Sequence, residues 1–207
     1  MIKTEHLSFL HILNDISFQV PENKTLAVVG HNGAGKTTLF HVLLGLKFAS
    51  DGRFSIHESK YGYVPERPYL EMDERFRDFL KMHLKLIGFR KNEYNLEMNR
   101  VTKLVGLQGE LDKKFKHYSK GMLQKAMLAQ AMLGSPKLIF LDEPMSGLDP
   151  DARKELMNHL QALRDQGVAL VFTSHVMEDV AVLADLVLVL DHGRQKFFGP
   201  TADWSAS

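Results

Sequence analysis

An α/β fold with a mostly parallel sheet and an inserted helical lobe is what this 207-residue sequence predicts, on three observations. Short continuous apolar runs ("TLAVV", "KLIFL", "VALVF", "LVLVL") alternate with helix-like segments, the pattern of parallel strands buried on both faces. The first of these runs leads directly into the glycine-rich stretch "GHNGAGKTT". Between residues 67 and 120 the pattern changes to amphipathic helices, which divides one domain, 1–207, into an α/β body (1–66 and 121–207) and a helical lobe (67–120).

Each element follows from local chemistry. "ILNDISFQV" alternates as a strand does, and in "PENKT" Asn23 is suited to the left-handed conformation of a turn. After the strand "TLAVVG", a helix begins near Thr37 and ends near Gly45. "FASDGRFSIHESKYGYVPE" reads as a hairpin or as edge strands. In "DERFRDFLKMHLKLIGF", Phe76, Phe79, Leu80, His83, Leu84 and Ile87 share one helical stripe, with Asp73 as the expected cap. A second lobe helix, 93–105, stops at Gly106. The body resumes with helix "GMLQKAMLAQAML", strand "KLIFLDE", helix 150–166, strand "VALVFTSH", a helix from Met177 and the strand "LVLVL".

Composition narrows the function. The 26 basic and 25 acidic residues nearly cancel, so the broad positive field of a nucleic-acid-binding protein is missing and no nucleic-acid partner is expected. Cysteine is absent, which removes disulfides and thiolate metal sites and suits a reducing compartment, and the ten histidines show no metal-ligand spacing along the chain. "MIKTEHLSFLHIL" lacks the features of a signal peptide, and "LVLVL" is far short of the ~20 apolar residues a spanning helix needs. A cytoplasmic chain is expected, whose membrane role would go through a partner.

Two stretches have the form of an anion cradle. Gly30, Gly33, Gly35, Lys36 and Thr37 satisfy G-x-x-x-x-G-K-[ST] between a strand and a helix, the arrangement of a P-loop NTPase. Its glycines let backbone N–H groups close on a phosphate, Lys36 neutralises the β- and γ-phosphates, and Thr37 offers a hydroxyl to Mg²⁺. "LIFLDEP" sets Asp142 and Glu143 at the carboxyl end of a buried strand, Asp142 suited to Mg²⁺ and Glu143 to the attacking water. His175 ends "VALVFTSH" at the same sheet edge, where its imidazole can donate to a γ-phosphate. The second cradle is "YSKGMLQK", in which Ser119 caps a new helix whose free N–H groups and dipole suit an anion.

The order "GHNGAGKTT", "YVPE", "YSKGMLQK", "LIFLDEP", "SGLD", "TSH" resembles the ATP-binding cassette (ABC) ATPases over nearly the whole length. "YSKGM" with "QK" and "SGLDP" looks most like the branch that energises exporters of drugs, sodium, lipids or polysaccharides. The resemblance implies ATP and Mg²⁺ as ligands, a small antiparallel β-arm, and a second ABC ATPase subunit, identical or different, stacked head to tail. It implies nucleotide contacts from the whole phosphate loop (Gly30, His31, Asn32, Gly33, Ala34, Gly35, Lys36, Thr37, Thr38), and catalysis by Glu143 and His175. Ser119 and Gly121 would close over the partner's ATP, with Asp149 of "SGLD" on the seam between the copies. Glu66 stands where many relatives carry glutamine, sensing Mg²⁺ and water, and a carboxylate there cannot donate when ionised. Lys120 and Met122 depart from the usual signature, and the span between Gly45 and Tyr61 implies a short arm.

Phe9 has two readings, an adenine-stacking ring or ordinary strand packing. The cluster Lys113, Lys114, Lys116, His117 and Lys120 reads as a solvated face, or as a patch for acidic lipid headgroups. Residues 66–80, with Tyr69, Leu70 and Phe76, are the expected contact for membrane-spanning permease subunits, which would place the chain on the cytoplasmic face of the membrane. With the sequence closing soon after "FFGPTADW", no regulatory domain is expected. Rival readings are a soluble ABC ATPase acting on nucleic acid or ribosomes, a P-loop kinase, and a cassette that senses ATP without turnover.

Overall fold

The computed structural model describes residues 1–204. Nine strands form one sheet: β1 (Ile2–Phe9), β2 (Leu13–Val20), β3 (Leu26–Val29), β4 (Asp51–Ile56), β5 (Tyr61–Val64), β6 (Leu138–Leu141), β7 (Ala169–Ser174), β8 (Leu186–Asp191) and β9 (Arg194–Pro200). Six α-helices accompany them: α1 (Lys36–Leu43), α2 (Phe76–Leu86), α3 (Tyr94–Leu104), α4 (Lys120–Ala131), α5 (Pro150–Asp165) and α6 (Met177–Leu183). The strand order is β4-β1-β2-β9-β8-β3-β7-β6-β5. From β8 to β5 every pairing is parallel, whereas β1 pairs antiparallel with both β2 and β4 to make a three-stranded arm. One residue pair, Asn14 with Arg194, joins arm to body.

The central strands are short and fully buried, so alternate residues supply two cores. Ala27, Val29, Ile139, Leu141, Leu170 and Phe172 face the side covered by α4, α5 and α6. Leu26, Val28, Leu138, Phe140 and Val171 face α1, through its Leu39, Phe40 and Val42, and the apolar side of the arm. Burying each such side chain contributes about 1.5–3 kcal/mol.

The segment 51–64 resolves the choice between hairpin and edge strands: β4 and β5 occupy opposite edges of the sheet. β5 approaches α4 so closely that a Cβ on Gly62 would lie 2.3 Å from the carbonyl oxygen of Ala131. Asn23 takes the left-handed conformation, φ 56°, at the turn between β2 and β3. β1 and the final strand β9 were not legible as strands, because charged and polar residues interrupt their alternation.

Helices α2 and α3 pack with a 3-10 turn at 115–117 around Phe76, Phe79, Leu80, Met98, Val101 and Phe115, continuous with the core beneath α4. Phe115 contacts Phe79 and Tyr118 edge-on, with centroids 5.3 and 5.4 Å apart. The chain's entry into this region pairs with its exit, through Phe76 N–H to Lys113 O and Phe115 N–H to Glu74 O. Three expectations are corrected here. Asp73 does not cap α2, whose N-cap is Arg75; its carboxylate instead holds Lys114 and Lys116 at 3.1 and 2.7 Å, drawn away by two cations. Phe76 is fully buried under the apolar stripe of α2, so it offers nothing to a docking surface, whereas Tyr69 is fully exposed. Ile87 also leaves the stripe and is half exposed. With Lys113 paired to Glu110, three of the clustered lysines are held by two carboxylates.

Glu97 ties α3 to the end of α4. Its carboxylate accepts from Arg100 and from the Gly134 N–H at 2.7 Å, while Arg100 also donates to Met132 O. Burial alone would raise the Glu97 pKa, but the Arg100 and Gly134 hydrogen bonds hold it below the usual 4.5. A depressed carboxylate stabilises the fold above its unfolded pKa and loses that contribution as pH falls through the folded one. Glu97→Gln is therefore expected to destabilise the chain by about 1–3 kcal/mol at neutral pH and to flatten the stability loss below pH 4.5, as read by denaturant unfolding at several pH values.

Candidate functional site

In-register pairing brings Val29 beside Ser174, and Leu141 beside Phe172, so the loops after β3, β6 and β7 open at the same sheet edge. There a cleft is lined by Asn32, Gly33, Gly35, Lys36, Thr37 and Thr38 from the loop and α1, by Glu66, and by Glu143, Ser146 and His175. Gly30 lies below it, where a Cβ would stand 2.4 Å from Leu190 O, so only glycine lets the loop turn here. Ala34 is buried behind the loop, and Gly35 takes φ 105° to launch α1. α1 therefore aims its N-terminus, with no side-chain cap, into the cleft.

Lys36 is almost wholly buried. Its ammonium donates to Gly30 O at 2.8 Å and His31 O at 3.3 Å, and lies 3.2 Å from Oε1 of Glu143. That last approach is too poorly aligned for a hydrogen bond, which leaves Oε1 buried without a partner. The other oxygen, Oε2, lies 3.0 Å from Nδ1 of His175. Glu143 has φ 44°, a left-handed backbone that costs a non-glycine residue roughly 1–3 kcal/mol. This conformation turns its side chain back over the strand end toward Lys36 and His175.

Thr173 holds that geometry, and sequence reasoning passed over it. Its hydroxyl accepts from the Glu143 N–H at 2.6 Å and donates to Oδ1 of Asp142 at 2.7 Å. Asp142 is 1% exposed, and its own N–H is bonded to Val64 O. Only the clue that a polar residue interrupts "VALVF" before "SH" pointed to Thr173. Ile12 lines the cleft as well, an aliphatic residue no motif marked.

The remaining expected residues divide. His31 leans away from the cleft, with Nδ1 on Asn32 O and Nε2 on Asp191. Phe9 packs against the arm core with the Lys47 ammonium 5.3 Å from its ring centre, and it is not among the cleft residues. Glu66 is exposed at the cleft rim, 3.8 Å from Arg67. Ser119, Gly121 and Asp149 lie together elsewhere. Ser119 Oγ caps α4 on Met122 N–H, Asp149 caps α5 on Ala152 N–H, and a Cβ on Gly121 would meet Ala152 Cβ at 2.9 Å. None of the three lines the cleft that holds Lys36.

The donors suit a hard cation beside a polyanion. Thr37 and Glu66 line the cleft and Asp142 lies buried just past β6, and all three offer oxygen donors. Burial, and then the Asp142 and Glu66 charges, push the Tyr63 phenol up to about 12.

The family model described as ABC transporter matches residues 13–146. A Synechocystis sp. protein described as an uncharacterized ABC transporter ATP-binding protein is 36% identical over 92% of this chain and 57% of its own length. The molybdenum import ATP-binding protein ModC of Pseudomonas fluorescens is 30% identical over 96% of this chain and 59% of its own. This chain thus spans a little over half the length of these relatives. A solved structure titled as the ATP binding subunit of an ABC transporter superposes with a TM-score of 0.85 at 28% identity, over 98% of this chain and 90% of that one.

Thr173→Val keeps the volume and removes the hydroxyl shared by Asp142 and Glu143. It is expected to lower kcat for ATP about 100-fold with little change in KM, while Thr173→Ser retains most of the rate, as measured by steady-state phosphate release. Equal loss in both variants would assign Thr173 a packing role.

Proposed function

The chain belongs to the ABC transporter family, and from that premise we propose that it binds and hydrolyses ATP to drive a membrane exporter through separate permease subunits. The observation that carries the hydrolytic part is the convergence of Lys36, Glu143 and His175 at the mouth of a capless helix, over the buried Asp142. Loop amides and Lys36 bind the phosphates. An arriving triphosphate competes for the Lys36 ammonium and frees Glu143, which then takes a proton from water as the water oxygen bonds to the terminal phosphorus and the bridging P–O bond breaks, releasing ADP. His175, held by Glu143, donates to the terminal phosphate. Thr37 and Asp142 are the residues that would hold Mg²⁺, which supplies charge neutralisation when bound.

The second cradle supports a two-copy site. Ser119 and Gly121 do not line the cleft that holds Lys36, which favours a nucleotide held by another molecule, an identical or related ABC ATPase subunit. On this reading 67–120 is a lobe that carries the second cradle, and the backbone hydrogen bonds that join its entry at 74–76 to its exit at 113–115 are its base. Among the described residues no helix is long and apolar enough to cross a membrane, so coupling to transport falls to permease partners at the cytoplasmic face. Export is favoured by the form "YSKGM" with "QK" and "SGLDP". Import is the second reading, favoured by the likeness to ModC.

Glu143→Gln keeps the shape of the site and removes the proton acceptor. It is expected to retain ATP affinity, to lower turnover about 100-fold or more, and to accumulate ATP-bound dimers on size exclusion. Rapid turnover by that variant would move the base elsewhere. Accumulation of labelled cargo inside inside-out vesicles bearing the assembled complex would support export, and depletion from them import.

A further inference from the structure

We propose that His31, Asp191 and His192 form a site for a divalent transition-metal ion of the zinc class, one that ties the phosphate loop to the turn between β8 and β9. Linear spacing hid this group, since 160 positions separate His31 from Asp191. In the fold the ligand atoms of all three lie within 4.8 Å of one another. Oδ1 of Asp191 is 3.2 Å from Nε2 of His31 and 3.7 Å from Nε2 of His192. A tetrahedral ion with bonds of about 2.0–2.1 Å sets its ligands roughly 3.3 Å apart, so the two Asp191 distances need little change and the two rings would draw together.

The tautomer of His31 strengthens the case. Its Nδ1 lies 2.8 Å from the carbonyl oxygen of Asn32, which can only accept, so Nδ1 carries the hydrogen. Nε2 then faces the Asp191 carboxylate, a contact that needs a positive charge on or beside the ring, which a second ring proton or a metal ion supplies. An imidazole fixed through its far nitrogen by a backbone carbonyl is the usual support of a metal ligand. Two imidazoles and one carboxylate select zinc-like ions over magnesium or calcium, and leave a fourth position for water. Lys196 lies 3.5 Å from the other oxygen, Oδ2, leaving Oδ1 to the two rings. Among the described residues the other histidine–carboxylate contacts, His6 with Asp15, His159 with Glu155 and His175 with Glu143, supply two ligands each.

Placement gives the ion a consequence. His31 O receives the Lys36 ammonium and the Ala34 N–H, and Ala34 O receives the Gly193 N–H from the β8–β9 turn. A metal on His31 and His192 adds a staple beside that hydrogen bond and holds the loop to the turn.

The test is calorimetric titration of zinc into the full chain at neutral pH without nucleotide, with cobalt absorption as a second measure. The wild type is expected to show a saturable site, lost or weakened at least about tenfold in His192→Asn and in Asp191→Asn. Asparagine tolerates the φ of 46° at 192, and His192→Asn is expected to keep the metal-free ATP turnover. Backbone amides of 32–35 should exchange hydrogen more slowly in zinc-bound wild type only. Equal zinc affinity in wild type and both variants, as capture by His175 and Glu143 would give, overturns the assignment, as does an absence of saturable binding.

Discussion

Everything at the cleft depends on parallel strands that end together. β3, β7 and β6 are paired in register, so Gly30, His175 and Asp142 leave the sheet at one edge without any long loop to bring them there. The strands are buried on both faces and apolar except at the end of β7, where Thr173 and Ser174 stand, which fixes the edge rigidly. Charged groups gather only where the apolar runs stop. Thr173 is the exception inside a strand, and it answers both neighbouring acidic residues at once: the side chain of one and the backbone of the other.

Much of this architecture was legible because it rests on local pattern. The buried strands, the glycine loop, the helix starts at Ser119 and Pro150 and the turn at Asn23 each follow from a few adjacent residues. What stayed hidden depends on distant partners. β9 is a strand because β8 and β2 flank it, not because its own sequence alternates. Asp73 has the form of a cap, yet two lysines forty residues away claim its carboxylate. Phe76 and Ile87 share one stripe in the sequence pattern, yet Phe76 packs against Phe115 and is covered, whereas Ile87, at the C-cap just past α2, is left half exposed.

The site shows the same division. Lys36, Asp142, Glu143 and His175 stand out by motif, whereas Ile12 and Thr173 are ordinary residues that acquire importance from where the chain returns. Phe9 illustrates the converse: an aromatic in a plausible place, whose ring is taken up by core packing and the Lys47 ammonium. The left-handed backbone of Glu143 could not be inferred from residue preference, since glutamate has none for it. It becomes intelligible once the Thr173 hydroxyl is seen holding its N–H.

The placement of β4 and β5 on opposite rims of the sheet bears on how the polypeptide is assembled as it leaves the ribosome. The arm has all three of its strands once residue 56 has emerged, so it can zip up while most of the chain is still unmade. β5 follows within a few residues but finds its neighbour only when β6 arrives, beginning at Leu138. Throughout that interval an apolar-backed strand stands open while α2, α3 and α4 are translated, and this makes the nascent chain vulnerable to mispairing for a stretch that the finished molecule no longer reveals.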